Sequence, residues 1–315
     1  MRTLIPVLIP VLAAVLVAGC GTATGPGPAT SEPLPPPNDT VRVVDLNAAM
    51  GYRSGPGNPG GTDATHDDLV LLARDILGNG GDVANLQEMA LPAARQLRDI
   101  LRDLTGDEWQ LNWAHAAYAS FYAGRSKGER PVYDHVSSGD AQLVRIGDGI
   151  TGQRPITLDD ANDDQGIVLP SGGRAFQGAE ITTSWGAVDV YNTHLALHQQ
   201  VSDQDRAADV RRIQETTESR PDPTVITGDF NQTIDVPDPN RLTMAAIQAF
   251  MTTYGYTDVA EDKGVTIDQK NPEQDRRRID YILTRGLRTT NTVRLVSHES
   301  DHWGLATTIE RSARQ

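Results

Sequence analysis

The sequence predicts an α/β (α+β) fold in which stacked β-sheets are covered by helices. Three observations predict it. Short β-branched runs such as "VRVVDLN" (Val41–Asn47) and "PTVITGD" (Pro223–Asp229) read as buried strands. They alternate with longer amphipathic stretches of helical period. Between Trp109 and His194 one strand-like run follows another, with no internal repeat.

The N-terminus stands outside that pattern. Arg2 precedes an apolar run from Leu4 to Ala18, too short and one-sided for a spanning helix, which ends in "LVAGC". It resembles a bacterial lipoprotein signal, residues 1–20, with Cys20 as the residue that would carry the lipid. Cys20 is the only cysteine, so the exported fold must hold by core packing without disulfides. Residues 21–40, rich in Pro, Gly, Thr and Ser, read as an extended tether, with "PLPPP" locally stiff. The folded domain is expected over residues 41–312.

Within it, "VRVVDLN" is the first strand and Gly-rich "GYRSGPGNPGG" a loop. "THDDLVLLARDILGNGG" is a helix with Thr65 as N-cap and Gly78 near its end. "DVANLQE" is a strand and "LPAARQLRDILRDL" a helix with Pro92 in its first turn. "WQLNWAH", "AQLVRIG", "RPITL", "GAEITTS" and "AVDVYNTH" form the β-rich middle. "DQDRAADVRRIQETTES" and "LTMAAIQAFMTTYG" are helices on either side of the strand "PTVITGD". "RRIDYILT", "TVRLVSH" and "GLATTIE" close the chain as strands.

Asp and Glu number 42 against 28 Lys and Arg, a formal charge of -14. That argues against coating nucleic acid or an anionic membrane by charge alone. It leaves room for an enzyme acting on phosphate esters where a divalent cation screens the site. Two basic runs, "GRSKGER" (Gly124–Arg130) and "DRRRID" (Asp275–Asp280), would suit a polyanion. "DDANDDQG" (Asp159–Gly166) places Asp160, Asn162 and Asp164 at alternating positions, as a structural Ca2+ loop does, but its glycine is one place late for an EF-hand and no twelfth-position glutamate follows.

The informative residues lie at strand ends. Asn47 and Glu88 end two strands, His194 in "YNTHL" a third, and Asp229 with Asn231 in "TGDFN" a fourth. Asp280 sits in "RIDYI", and Asp301 and His302 in "SDHWG". Singly, each is explained by a cap or turn. Together they are what phosphodiester hydrolysis requires. Mg2+ takes oxygen ligands, a neutral-pH base is best a histidine oriented by a carboxylate, and developing charge on phosphorus needs His, Asn or Arg donors.

"LN", "LQE", "NTHL", "GDFN", "RIDYI" and "SDH", in this order over Val41–Ile309, resemble the endonuclease/exonuclease/phosphatase superfamily, whose members resemble pancreatic deoxyribonuclease. The resemblance implies a four-layered sandwich: two mixed β-sheets face to face, helices outside, and one site at one edge. Residue by residue it implies Glu88 as holder of Mg2+ or Mn2+, with Asn47 and Asp301 completing the polar shell. It implies His302 as the base that takes a proton from water, oriented by Asp280. Asp229 and Asn231 would position nucleophile and phosphate, and His194 would neutralise the phosphate or protonate the leaving oxygen. Arg174, in "GGRAFQGAEI", resembles the family's phosphate donor, and Asp140, in "SGDAQLVR", its carboxylate that orients the histidine, here His194. Where several nucleases carry a tyrosine, this chain has Ser137, with Tyr133 four residues upstream.

The expected activity is an extracellular, surface-anchored, metal-dependent nuclease cleaving DNA or RNA as a monomer, held to the membrane through Cys20 alone. Sphingomyelin or phospholipid cleavage and inositol-phosphate hydrolysis are the alternatives; aromatic residues make up only 5% and show no membrane-facing pair on a hairpin tip. A non-catalytic binding lipoprotein is disfavoured because no member of the constellation is missing.

Overall fold

The computed structural model describes residues 39–49, 64–115, 138–147, 149–156, 166–171, 174–220, 223–234, 241–267, 277–298 and 300–312. The chain divides between Pro36 and Pro37, and every described residue lies in the second unit. The signal run with Cys20, most of the tether, the Gly124–Arg130 run, Arg276, Tyr133, Ser137 and the Asp160–Asn162–Asp164 motif all lie outside the described residues.

In chain order the elements begin β1 (Thr40–Asn47), α1 (His66–Gly78), β2 (Val83–Ala90), α2 (Leu91–Thr105), β3 (Glu108–His115) and β4 (Ser138–Ile146). They continue β5 (Ile150–Pro155), β6 (Gly166–Val168), β7 (Ala175–Thr183), β8 (Gly186–His194), α3 (Asp203–Glu218), β9 (Thr224–Asp229) and α4 (Arg241–Thr252). The last are β10 (Thr257–Asp258), β11 (Asp280–Arg285), β12 (Leu287–Leu295) and β13 (Gly304–Arg311). One sheet runs β12-β13-β1-β2-β4-β3, the other β10-β11-β9-β8-β7-β5 with β6 beside β7. Each is mixed, and each holds one parallel pair, β1–β2 and β8–β9. A crossover through a helix joins each parallel pair, α1 in the first and α3 in the second, as parallel neighbours require.

The first helix starts at the expected Thr65 cap, and α3 starts at a side-chain cap of its own. Thr65 and Asp68 form a reciprocal box, with Thr65 N–H donating to Asp68 Oδ2 at 2.7 Å and Asp68 N–H to Thr65 Oγ1 at 3.2 Å. Ser202 accepts from Asp205 N–H at 3.1 Å. Asp203, the first residue of α3, also accepts from the Leu242 and Thr243 N–H groups of α4 at 2.9 and 3.0 Å. One carboxylate thus satisfies the free N-terminus of a second helix and locks the two together.

Three apolar clusters separate four layers. Leu69, Leu72, Ile76, Leu97 and Leu101 of α1 and α2 meet Leu46, Leu86 and Met89 of the first sheet. Val210, Ile213, Ile247 and Phe250 of α3 and α4 meet Tyr191, Ile226 and Tyr281 of the second. Between the sheets lie Val43, Val83, Val144, Val188, Val190, Val225 and Ile282. The expected four-layered sandwich is what forms.

Strand alternation then decides where polar groups go. Stepping by two along the inward faces, Val43 is followed by Asp45 and Asn47, Val83 by Asn85 and Gln87, Val190 by Asn192 and His194, and Val225 by Thr227 and Asp229. The layer between the sheets is therefore apolar at one edge, amide-rich in the middle and charged at the other. Asn85 Nδ2 donates across it to Tyr191 O and Thr227 Oγ1 at 3.1 and 2.9 Å. Gln87 Nε2 donates to Asp45 Oδ1 and Asn192 Oδ1 at 2.8 and 2.7 Å. Gln142 Nε2 reaches Val190 O at 3.0 Å. Such bonds have direction and length that apolar contact lacks, so they fix the register of one sheet on the other.

Gly228 sets the closest approach of β8 to β9. Its φ is +149°, and a Cβ there would lie 1.9 Å from Thr193 O. Gly228→Ala is expected to cost on the order of 4 kcal/mol or more, read as a fall in the urea midpoint. A variant within about 1 kcal/mol of the parent would show that the two strands are not held this tightly.

Candidate active site

The site lies at the carboxyl ends of the two parallel strand pairs. In the second sheet His194 ends β8 beside Asp229, which ends β9, and Asp229 pairs with Asp280 at the start of β11. Three functional side chains thus stand in a row by register alone. In the first sheet Asn47 ends β1 opposite Gln87 of β2. The β2–β4 ladder slips between Leu86 and Met89, and Glu88 at the slip takes φ +55°. A bulge of this kind re-aims a side chain that strict alternation would turn outward.

One bond joins the two sheets at the site: Asn47 Nδ2 donates to Asp229 Oδ2 at 3.2 Å. Asn47 O accepts from Ser300 Oγ at 2.7 Å, and Ser300 Oγ accepts from His302 N–H at 3.0 Å. The last loop is thereby tied to the end of β1, which puts Asn47, Glu88 and His302 on one edge of the sandwich. His302 is buried and its neighbour Asp301 exposed, the opposite facing expected of adjacent residues.

His302 Nδ1 lies 3.1 and 3.0 Å from the two oxygens of Asp280, and Nε2 lies 3.7 Å from Asp229 Oδ2. Nδ1 carries the proton given to Asp280, which leaves Nε2 facing the site. Burial alone would lower the pKa of this ring; Asp280 and Asp229 outweigh it and raise it well above the usual histidine value. Burial, then Asp280, push Asp229 up to about 7, against the pull of His302. His302 and Asp229, in contact and both raised, are placed to exchange a proton, as a general acid–base pair must.

His194 is on the other side of Asp229, with Nε2 3.5 Å from Asp229 Oδ2 and 3.1 Å from Asn231 Nδ2. Its Nδ1 is 3.1 Å from Arg174 Nη1. A guanidinium can only donate, so Nδ1 accepts and the ring proton sits on Nε2, where Asp229 Oδ2 is the acceptor; the Asn231 amide nitrogen, itself a donor, touches Nε2 without accepting from it. Burial first, then Arg174 and His302, lower this pKa well below the ordinary value, so His194 is neutral. The two histidines flanking Asp229 are thus tuned in opposite senses, one toward proton exchange and one toward hydrogen-bond donation.

Asn231 follows from a strained turn. Its φ is +48°, its N–H donates to Asp229 Oδ1 at 2.8 Å, and its Nδ2 donates to Leu195 O at 2.9 Å. Arg174 is buried, 6% exposed.

One expected pair does not form. Both oxygens of Asp140 are buried without a hydrogen-bond partner, and Arg174 stands at the His194 Nδ1 where Asp140 was expected. Burial raises the Asp140 carboxyl well above its ordinary value; Arg174 opposes this, while Glu88 and Asp229 add to it. The basic run near Asp280 is also less available than expected. Arg278 is buried, donates to Asp258 at 2.6 Å and lies over the Tyr281 ring.

The arrangement fits a hard cation. Asp45 Oδ2 and both Asp140 oxygens are further buried acceptors without a hydrogen-bond partner; Asp45 feels the charges of Asp280 and Asp229, and Asp140 those of Glu88 and Asp229. Among the described residues, one ligand atom each from Asp229, Asp280 and His302 lie within 4.8 Å of one another. Glu88 and Asp301 join no such three-residue cluster. The residues that sequence reasoning missed are Asp45, Asn85, Gln87, Gln142, Asn192 and Arg206, all buried polar groups inside elements rather than at their ends.

The sequence profile of the Endonuclease/Exonuclease/phosphatase family matches residues 46–302. The chain belongs to that family. Its members are phosphoesterase hydrolases and generally use divalent metals. Solved structures agree on the fold. A family protein from Beutenbergia cavernae DSM 12333 aligns with TM-score 0.62 and 18% identity, over 87% of this chain and 72% of that one. The mannosyl-6-phosphatase of Bacteroides thetaiotaomicron aligns with 0.57 and 16%, over 85% and 99%. The human Nocturnin catalytic domain with bound sulfate aligns with 0.58 and 14%, over 87% and 94%. No curated protein matches the sequence significantly.

Proposed function

We propose that this family member hydrolyses phosphodiesters with the help of a divalent cation, that its substrates are nucleic acid strands, and that it works outside the cell. The observation that carries the reading is the placement of two oppositely tuned histidines on either side of Asp229. His302, oriented by Asp280, takes the proton of the attacking water. Asp229 and Asn231 hold water and phosphate between the rings. His194 Nε2–H and Arg174 donate to the phosphate on the far side, where negative charge grows as the bond breaks. Mg2+ or Mn2+ held by Glu88, Asn47 and Asp301 would supply positive charge to draw and polarise the phosphate.

A second reading is favoured by two observations: the formal charge of -14 and the internal pairing of Arg278 both weaken the case for a long polyanion. On that reading the substrate is a small phosphate ester, such as an inositol or sugar phosphate, consistent with the phosphatase among the structural neighbours. A panel decides between them: duplex DNA, single-stranded DNA, RNA, sphingomyelin, phosphatidylinositol, inositol phosphates and mannose 6-phosphate, offered to the domain from Val41. Turnover of nucleic acid is expected to lead by at least tenfold; preference for any other member overturns the nucleic-acid assignment.

Anchoring through Cys20 is tested by palmitate labelling of the full chain in cells. Label is expected on the parent and absent from Cys20→Ser; label persisting on the variant contradicts lipidation at this residue.

A further inference from the structure

The helix that crosses from β8 to β9 buries two charged side chains that the chemistry above does not use. Arg206 and Asp209 lie three residues apart on one face of α3, and both are wholly buried. Burying a guanidinium and a carboxylate costs stability unless each is bonded, so their partners show what they are for. Arg206 Nη2 donates to Asn231 O at 2.9 Å and Phe230 O at 3.4 Å, and Nη1 to Gln232 Oε1 at 3.1 Å. It therefore grips the carbonyls on both sides of the left-handed Asn231, the residue whose amide meets His194 Nε2. Asp209 Oδ1 accepts from Ser171 N–H at 2.8 Å. Ser171 lies in the turn that follows Leu169, whose N–H donates to Arg174 O at 2.8 Å, and Arg174 meets His194 Nδ1.

We propose that Arg206 and Asp209 are positioning residues that fix the His194 ring from its two sides, Arg206 through Asn231 and Asp209 through the turn before Arg174. The inference rests on the phosphoesterase reading of the site. One helical turn thus sets both neighbours of the donor histidine. Without the Arg206 fork, the Phe230–Gln232 turn relaxes from its left-handed geometry and the Asn231 amide leaves the ring. Without the Asp209 acceptor, the turn slackens and Arg174 no longer holds Nδ1 as an acceptor. Burial pushes the Asp209 carboxyl up to about 6, so a charged group is kept here at some cost to the fold.

The test is a set of double-mutant cycles with His194→Ala on whichever phosphate ester is turned over. Arg206→Lys keeps the charge and loses the fork; Asp209→Ala loses the acceptor; Asp209→Asn keeps an oxygen for Ser171. In the parent, Arg206→Lys and Asp209→Ala are each expected to lower kcat about tenfold, with Asp209→Asn within about twofold. In the His194→Ala background the same changes are expected to do nothing further, because their effect runs through that ring. Equal losses in both backgrounds would mark a general packing role and overturn the proposal. Nitrogen-15 spectra of the His194 ring give a readout independent of turnover. A single Nε2–H tautomer is expected in the parent and a mixture in Arg206→Lys and Asp209→Ala; unchanged spectra in both contradict the proposal. If the parent turns over no phosphate ester, the phosphoesterase reading fails and the spectra alone judge the positioning. Should Arg206→Lys fail to fold, the two Asp209 variants decide by the same cycle.

Discussion

Replacing His302 with alanine is expected to lower kcat by about 10²–10⁴-fold, the range for loss of a general base, with the far-ultraviolet spectrum unchanged. His302 sits at the end of a loop, and its backbone is held independently of the ring: the N–H by Ser300 Oγ and the carbonyl by Ser297 Oγ, each at 3.0 Å. Removing the imidazole therefore leaves the chain path in place. What it takes away is the side chain that joins Asp280 to Asp229. Asp280→Asn should be the milder change, because an amide can still contact Nδ1 but permits the wrong tautomer. A His302→Ala variant retaining more than a tenth of parental turnover would remove the ring from the reaction.

Asp229→Asn is expected to abolish turnover to a similar degree and, in chelator, to make the protein more stable above neutral pH. Asp229 is where both sheets and both histidines meet, through Asn47, Asn231, His194 and His302. An amide in its place cannot accept along all these directions. The stability effect follows from the raised pKa. A folded value of about 7 against 3.8 for the ordinary group means that the native state binds this proton more tightly. Native protein then carries more protons than unfolded protein across that interval, so stability falls as pH rises from about 4 to about 7. His302, raised in the same sense, adds a loss that continues above its ordinary value. Asparagine removes the Asp229 part of the decline. Thermal midpoints of parent and variant should converge at pH 4 and separate, variant higher, at pH 8. A variant less stable at pH 8 would show that Asp229 contributes more to the fold than its burial costs, the reverse of a trade between activity and stability.

The site was legible from sequence because its members end strands. A carboxylate or histidine that closes a β-branched run is explained singly by a cap or turn, but several such runs in one order narrow the choice. Asn47, His194, Asp229 and Asn231 were found this way, and the structure gathers them within hydrogen-bonding distance of one another. Asp45, Asn85, Gln87, Gln142 and Asn192 were not found. Each is an interior strand position whose meaning depends on which face of its sheet meets the other, a fact that periodicity alone does not carry. Arg206 was hidden for a related reason, since a polar helix offers no sign that one of its arginines points inward. The Asp140–His194 pair failed because Arg174, just before β7, meets that nitrogen instead.

Strand boundaries show the same division. The buried β1, β8 and β9 were read almost to the residue. β5 was placed too late, at "RPITL" rather than Ile150–Pro155, and β12 also begins earlier than read, at Leu287. Both lie at sheet edges, where a solvated side lets Thr, Asn, Gln and Arg occupy a strand and erases the apolar signal. β6 and β10 are only three and two residues long and leave no pattern to read.

The proposed chemistry depends on strand ends from two separate sheets making one hydrolytic centre around a hard positive charge. Initial-rate hydrolysis of a simple aryl phosphate diester by the domain from Val41, measured in chelator and after adding back Mg2+ or Mn2+, puts that to the most direct test. The expected result is no turnover in chelator, recovery with either metal, and no recovery in His302→Ala. Full activity in chelator, or undiminished turnover by the variant, would contradict it.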